Sequence, residues 1–263
     1  MPVQRSQPRS LSARLGIAFG SLSFAVLLCT CQKQERKLTG AALPPLAASS
    51  WLVALEVPGF GPARVAVPLG ARAAKSIVIA LHGDQDRPEW TCGSFRHVVS
   101  SRAFILCPQG LARPDQRYGL GTSAETFTEL RNALPALKSR FKNYLMKGSV
   151  VLAALGPSVD HAIELSLEEP SFFSYLLLVD GSFARFTPAA ATRFGRAGGK
   201  RVLVVCSPGA CESDVELRLR ALRPLGVASR VVRVERGRGL DAEVVARLRA
   251  EFPWLVAQEP GFR

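Results

Sequence analysis

From Trp51 onward, short and nearly uninterrupted apolar runs alternate with segments of helical length. This alternation is the feature that most limits the folds available to the chain. Several of the later runs are apolar at almost every position, as in YLLLV at 175–179. Strands of that kind are buried on both faces, which is typical of parallel sheets covered by helices on both sides. The pattern therefore predicts an α/β domain with a mostly parallel central sheet flanked by helices.

The predicted elements fit within one domain, residues 51–263. A chain of 263 residues in which 48% are hydrophobic provides one sizeable core and little for a second. The predicted strands are 51–57, 64–67, 76–81, 103–107, 149–153, 175–179, 201–206 and 229–234. The predicted helices are 87–101, 123–141, 158–167, 212–222 and 241–252.

The first 31 residues resemble an export signal. Arg5, Arg9 and Arg14 precede an uncharged apolar stretch at 15–31 that is short for a membrane span and interrupted by glycine and serine. We therefore expect a signal peptide at 1–31, with a weak permanent anchor as the alternative. Residues 32–50, with mixed charge and a run of small residues and proline, are predicted to be a flexible tether.

The end of this segment, Leu28-Cys29-Thr30-Cys31, resembles the lipobox of bacterial lipoproteins. In that motif a leucine stands three places before the cysteine that receives lipid; Thr30 departs from the usual glycine, alanine or serine. The resemblance implies lipidation at Cys31, with Cys29 as a second candidate, and a membrane-anchored lipoprotein of the bacterial cell envelope, in the periplasm or at the outer membrane. A plain cleaved signal peptide with two incidental cysteines is the alternative.

The net charge of +13 raises the question of an anionic partner. A nucleic-acid-binding protein concentrates its charge in a stripe with interleaved aromatic residues, and no such stripe occurs here. The densest basic stretch, 218–249, mixes arginines with aspartates and glutamates. We therefore expect solvated surfaces and no nucleic-acid partner, with a site for an anionic surface as the alternative. No phosphate loop or dinucleotide fingerprint is present, and we assign no cofactor.

Two motifs resemble the α/β-hydrolase family, specifically secreted esterases similar to polyhydroxybutyrate depolymerases and feruloyl esterases. The first is SIVIALHGDQ, a buried strand that leads into His82-Gly83. The second is SVVLAALGPSVDHAI, a strand, turn and helix with 156–160 (GPSVD) at the place of the G-x-S-x-G nucleophile elbow. The resemblance spans roughly residues 51–256.

The resemblance implies a serine esterase site. Ser158 stands in the nucleophile position, and the Val159 amide and the His82-Gly83 turn would form the oxyanion hole. Ser158 as an ordinary helix N-cap is the alternative. The acid would follow the next-to-last strand, where Asp214 is preferred over Glu212; Asp180, at the end of the preceding strand, is a further candidate.

The chain departs from the family at two places. Asp160 replaces the second glycine of the elbow, and Gly239-Leu240 stands where a Gly-His pair is expected. No histidine follows His161, which lies three residues after Ser158 and is the candidate for an unusual base, with a structural role as the alternative. Loss of the base of a catalytic triad costs up to about a millionfold in rate.

Four cysteines remain after the predicted signal. An exported protein retains disulfides, and proximity in this fold favours the pairs Cys92–Cys107 and Cys206–Cys211. Metal binding is the competing role, but the histidines do not cluster with these cysteines, and we assign no metal.

Two functional hypotheses follow from these observations. The first is a catalytically impaired relative of serine esterases, a pseudo-hydrolase that acts as a binding or structural lipoprotein. The alternative is an active serine esterase or depolymerase that uses Ser158 and His161 on a small-molecule or polymeric ester. Ester turnover lost in Ser158→Ala distinguishes the two.

Overall fold

The computed structural model describes residues 42–115, 117–211 and 215–263. In these residues an eight-stranded sheet consists of β1 (Leu52–Leu55), β2 (Ala63–Ala66), β3 (Ser76–Leu81), β4 (Ala103–Cys107), β7 (Val151–Leu155), β8 (Tyr175–Val179), β9 (Arg201–Cys206) and β10 (Ala228–Arg233). Their order in the sheet is β1-β2-β4-β3-β7-β8-β9-β10. The β1–β2 and β2–β4 pairs are antiparallel and all other pairs are parallel, which confirms the predicted mostly parallel sheet. A separate ribbon pairs β5 (Leu111–Ala112) with β6 (Tyr118–Gly119).

Helices cover both faces of the sheet. They are α1 (Pro88–Val99), α2 (Ser123–Phe141), α3 (Ser158–Glu168), α4 (Pro188–Arg196), α5 (Val215–Arg220) and α6 (Ala242–Leu255). One face packs against α1 and α6 through a core that includes Phe95 and Leu248, and the other packs against α2 to α5 through a core that includes Leu130 and Phe194.

Most of the other elements agree with the sequence-based expectation to within three residues at each end, whereas β7 is shifted and α4 is additional. Strand β7 covers Val151–Leu155 rather than 149–153, because pairing with β8 begins at Val151, opposite Tyr175. Helix α4 was not predicted. It is only nine residues long and buries only Ala191 and Phe194, so few positions indicate a helix. Thr187 caps it by accepting a hydrogen bond from the Ala190 amide.

Both predicted cysteine pairs are confirmed. Cys92 and Cys107 join α1 to the end of β4, and Cys206 and Cys211 close the loop after β9. The first bridge is fully buried and links a helix to the strand on which it packs.

The described part of the predicted tether, residues 42–50, lies against the domain. The Leu46 side chain is 7% exposed, and the Leu46 amide donates to the Ala71 carbonyl. The Tyr144 hydroxyl donates to the Pro44 carbonyl at 2.9 Å. The predicted signal peptide, Cys29 and Cys31 lie outside the described residues, and none of the helices in the described part of the chain is both long and apolar enough to span a bilayer.

Candidate functional site

A cavity of about 300 Å³ opens at the carboxyl edge of the sheet, where β3 and β7 end. Parallel strands direct their carboxyl ends to one edge, so the loops that follow different strands meet there. The residues that line it are His82, Asp84, Arg113, Leu120, Gly121, Pro157, Ser158 and His161. The sequence-predicted residues His82, Ser158 and His161 are therefore brought together.

The turn from β7 into α3 has its left-handed residue at Gly156. Gly156 follows the last residue of β7 directly and has φ +59°, whereas Pro157 has φ −60° and α3 begins at Ser158. The Gly156 amide donates to the Val179 carbonyl of β8. A Cβ added at Gly156 would meet only the Asp180 carbonyl oxygen, at 4.0 Å, so a side chain would have space there.

The Ser158 hydroxyl is bonded to the backbone behind the cavity. It donates to the Leu155 carbonyl at 2.8 Å, with the Leu81 carbonyl at 3.3 Å as a second acceptor, and accepts from the Leu155 amide at 3.0 Å. The residue is 3% exposed. Pro157 rather than Ser158 is the N-cap of α3, so the hydroxyl ties the ends of β7 and β3 together instead of capping the helix.

The backbone groups predicted for an oxyanion hole have different surroundings. The Val159 amide donates to the Gly156 carbonyl at 3.1 Å, inside the turn. A Cβ added at Gly83 would meet nothing within 4 Å, so this glycine borders open space. His82 is 0% exposed, with Nδ1 2.7 Å from the Gly83 carbonyl oxygen and Nε2 3.0 Å from the Gln109 carbonyl oxygen.

His161 does not contact Ser158 through a hydrogen bond. Its Nε2 lies 2.8 Å from the Gly121 carbonyl oxygen, and its Nδ1 is buried without a partner among the described residues. An imidazole nitrogen that pairs with a carbonyl acts as the donor, which leaves the other nitrogen as the acceptor in the neutral ring. His161 therefore joins α3 to the loop that precedes α2.

Asp180 joins three loops at the carboxyl edge. One of its oxygens accepts from the Ser207 amide at 2.6 Å; the other accepts from the Ser207 hydroxyl at 2.6 Å and from the Gly239 amide at 2.9 Å. Asp180 itself has φ +51°, a left-handed conformation that aspartate tolerates better than most residues. The carboxylate thus faces the loop in which the family carries its histidine. The preferred acid Asp214 and its alternative Glu212 lie outside the described residues.

Leu240 occupies the position at which a histidine was expected. It is half-buried and packs against the core that includes α1 and α6. The loop from β10 to α6 therefore presents an aliphatic side chain where a serine hydrolase needs an ionisable one.

A buried carboxylate that the sequence reasoning missed lies behind His82. Glu129 of α2 is 1% exposed and accepts from the amides of Gln109 and Gly110, at 2.7 and 3.0 Å. Burial raises the pKa of the Glu129 carboxyl, while the two amides and the His82 ring act in the opposite direction. The available signal was its spacing, because Glu129 falls on the apolar face of α2 between Thr126 and Ala133.

The raised pKa of Glu129 predicts a specific pH dependence of stability. A group whose pKa is higher in the folded state binds its proton more tightly there. Its contribution to stability is therefore complete below the ordinary glutamate pKa of about 4.3, and it is lost as the pH rises through the pKa of the folded state. We expect the melting temperature of the wild type, relative to Glu129→Gln, to fall as the pH rises from about 4 to about 7.

Glu125 provides a control of opposite sign. Hydrogen bonds from the Thr122 amide and hydroxyl lower the pKa of this exposed carboxyl, so its contribution is lost as the pH falls. The melting temperatures of Glu129→Gln and Glu125→Gln are measured as a function of pH. As the pH changes, their differences from the wild-type melting temperature should therefore change in opposite directions. Parallel curves for the two variants would contradict the assignment.

Comparison with known proteins identifies the fold. No family model matches the sequence, and no curated protein matches it. Among solved structures, an uncharacterized protein from Bacillus cereus ATCC 10987 matches with a TM-score of 0.59 and 12% identity. The match covers 73% of this chain and 62% of that protein. Est1E from Butyrivibrio proteoclasticus matches with a TM-score of 0.56 and 10% identity over 80% of this chain and 100% of its own.

An S-formylglutathione hydrolase from Agrobacterium tumefaciens matches with a TM-score of 0.56 and 13% identity, over 82% of this chain and 99% of its own. Likeness at this identity concerns the arrangement of strands and helices, and function depends on the site. The strand order, the elbow-like turn after β7 and these structures together show that the chain has the α/β-hydrolase fold.

Proposed function

We propose that this protein is a catalytically impaired α/β-hydrolase, a pseudo-hydrolase that retains the fold and the cavity of a serine esterase without its chemistry. The observation that carries the proposal is the left-handed residue of the β7–α3 turn. In the nucleophile elbow the serine occupies this strained position between strand and helix. Here the position belongs to Gly156, which has no nucleophilic side chain.

The turn supports an alignment of the elbow two residues earlier than the G-P-S-V-D pattern suggests. Counted from the left-handed residue, the places of G-x-S-x-G are taken by Ala154, Gly156 and Ser158. Ser158 then stands where the motif has its last glycine. This placement accounts for its buried hydroxyl, which is already bonded to Leu155.

Pro157 supports the same conclusion from a different part of the reaction. The residue after the nucleophile normally donates its backbone N–H to the oxyanion, and proline has no N–H to donate. Removal of a single oxyanion-hole donor costs on the order of a hundredfold to a thousandfold in rate. The nucleophile, the oxyanion donor and the base are thus replaced by Gly156, Pro157 and Leu240.

One arrangement favours the alternative of an active esterase. Ser158 and His161 line the same cavity, and the Nδ1 atom of His161 has no partner within the described part of the chain. Rotation of the Ser158 side chain about χ1 would be needed to bring its hydroxyl out of the backbone hydrogen bonds and toward His161. Any activity of this kind would depend on both side chains.

Ester turnover tests the proposal. We expect the purified protein to hydrolyse p-nitrophenyl acetate and butyrate no faster than a folded protein without a site, and Ser158→Ala to leave that rate unchanged, because the hydroxyl is not positioned as a nucleophile. A rate that falls at least tenfold in both Ser158→Ala and His161→Ala would favour the active esterase. Circular dichroism of each variant controls for folding.

The cell-envelope location belongs to the same proposal. The basic start, the apolar stretch and the lipobox-like LCTC sequence support export and lipidation at Cys31. Two disulfides in the domain agree with an oxidising compartment. In this account the protein is a membrane-anchored lipoprotein whose cavity binds a small-molecule or polymeric ester without cleaving it.

A further inference from the structure

The amino edge of the sheet, where the parallel strands begin, carries a group of basic side chains. We call it the amino-edge face. Its members lie in the β2–β3 connection, in the last turn of α2 and in the segment between α2 and β7: Arg72, Lys75, Lys138, Arg140, Lys142 and Lys147. All are exposed except Lys75, which is half-buried.

Backbone contacts bring these segments together. Lys75 forms a parallel bridge with Leu145, and its amide donates to the Tyr144 carbonyl at 2.8 Å. Lys142 begins the single turn that contains Tyr144. The face is therefore one continuous surface rather than a set of separate charges.

No aspartate or glutamate side chain among the described residues pairs with any member of this face. Arg140 donates to the Ala54 carbonyl, which leaves its charge uncompensated, whereas Lys75 donates to the main-chain oxygen of Arg263, the last residue of the sequence. The sequence gives the reason, because no aspartate or glutamate occurs at 57–83 or at 130–159. Arginines at the opposite, carboxyl edge do have acidic partners, such as Arg113 with Asp84 and Arg233 with Glu216.

Helix capping explains only part of the face. Basic residues near a helix C-terminus are favoured by the helix dipole, which accounts for Lys138 and Arg140. Arg72, Lys75 and Lys147 lie outside helices and have no such explanation. Uncompensated charges of one sign on one surface repel each other unless an anionic partner is present.

The chain enters the domain at this face. The Leu43 amide donates to the Arg72 carbonyl, and Pro44 is bound by Tyr144, so the first described residues lie beside Arg72 and Lys142. Cys31 is 11 residues before residue 42, and an extended chain of that length reaches roughly 40 Å at most. A lipid at Cys31 would therefore hold the amino-edge face close to a bilayer.

We infer that the amino-edge face docks on an anionic phospholipid surface and thereby fixes the orientation of the domain, with the cavity at the carboxyl edge directed away from the membrane. This inference extends the proposed envelope location, and it concerns binding rather than catalysis. Each lysine or arginine near an anionic bilayer strengthens binding by about fivefold, from roughly 1 kcal/mol per residue.

Vesicle binding tests the inference. The protein is the full chain carrying Cys29→Ser and Cys31→Ser, which removes both candidate lipidation sites. The vesicles are phosphatidylcholine alone or with about 30% phosphatidylglycerol. The measured quantity is the ratio of the two dissociation constants, in which hydrophobic contributions common to both vesicles cancel. We expect the parent chain to prefer the anionic vesicles, and the preference to weaken at high salt.

A matched pair of triple variants locates the surface. Arg72→Gln, Lys142→Gln and Lys147→Gln together should weaken binding to anionic vesicles by about a hundredfold. The control, Arg117→Gln, Arg236→Gln and Arg238→Gln, removes the same charge from the carboxyl edge and should change binding by less than about threefold.

Two outcomes would overturn the inference: no preference for anionic vesicles in the parent chain, or equal losses in the two triple variants, which would mean that net charge rather than the face determines binding. Thermal unfolding of both variants establishes that each is folded. The proposed lipidation is read separately, from the mass of the processed wild type against Cys31→Ser, and the impaired chemistry from ester turnover, so a failure of one is distinguishable from a failure of the others.

Discussion

Replacement of Asp180 by alanine should lower the free energy of unfolding by about 3 kcal/mol, because hydrogen bonds to a charged acceptor are among the stronger ones and the buried donors are left without partners. The Ser207 and Gly239 amides both depend on this carboxylate. In a domain of this size such a loss corresponds to a fall in melting temperature of roughly 6–12 °C. Thermal or urea unfolding gives the value.

The conservative variant Asp180→Asn should lower the free energy of unfolding by less, roughly 1–2 kcal/mol. Its amide oxygen still accepts a hydrogen bond, whereas its NH₂ group faces another donor and cannot accept one. Asp115→Ala, at an exposed surface pair with Arg117, should have almost no effect. Hydrogen exchange adds a local measurement, with faster exchange expected at Ser207 and Gly239. An Asp180→Ala variant as stable as the wild type would show that the carboxylate does not hold these loops.

Removal of the Cys92–Cys107 bridge is the second change with a large expected effect. On the chain-entropy model a bridge across 15 residues contributes about 3 kcal/mol, and one across 5 residues about 2 kcal/mol. We expect Cys92→Ala with Cys107→Ala to destabilise the protein more than Cys206→Ala with Cys211→Ala does. Urea unfolding of both double variants makes the comparison.

The two bridges also differ in position. The first joins α1 to β4 in the buried core, so its replacement adds lost packing to lost chain constraint. The second closes a short loop beside Asp180 and Ser207. The opposite order of stability would indicate that the β9 loop, rather than the α1–β4 contact, limits unfolding.

The sheet could be predicted from the sequence because its central strands are continuously apolar. The strands at 76–81, 103–107, 175–179 and 201–206 have the predicted bounds, as does α2 at 123–141. These runs are five or six residues long, which is typical of a buried strand and short for a buried helix. The α4 helix was missed because it is only nine residues long and buries only Ala191 and Phe194.

The register of the elbow could not be read from the sequence. G-P-S-V-D matches two of the three fixed positions of G-x-S-x-G, whereas A-L-G-P-S matches none, so the sequence pattern favours the later alignment. The choice depends on which residue adopts a positive φ, and β7 ends at Leu155, which gives that conformation to Gly156. The burial of Glu129 and the hydrogen bonds of Asp180 also depend on tertiary packing, so they could not be predicted from the sequence either.

The absence of an activated serine is the central claim, and a fluorophosphonate probe tests it most directly. The full-length protein is treated with the probe beside Ser158→Ala, with an active serine esterase as the positive control, and any adduct is located by mass spectrometry of tryptic peptides. We predict no adduct on the peptide that contains Ser158 and no difference between wild type and variant. An adduct on Ser158 that disappears in both Ser158→Ala and His161→Ala, in proteins shown to be folded, would contradict this account and establish a serine hydrolase with a displaced base.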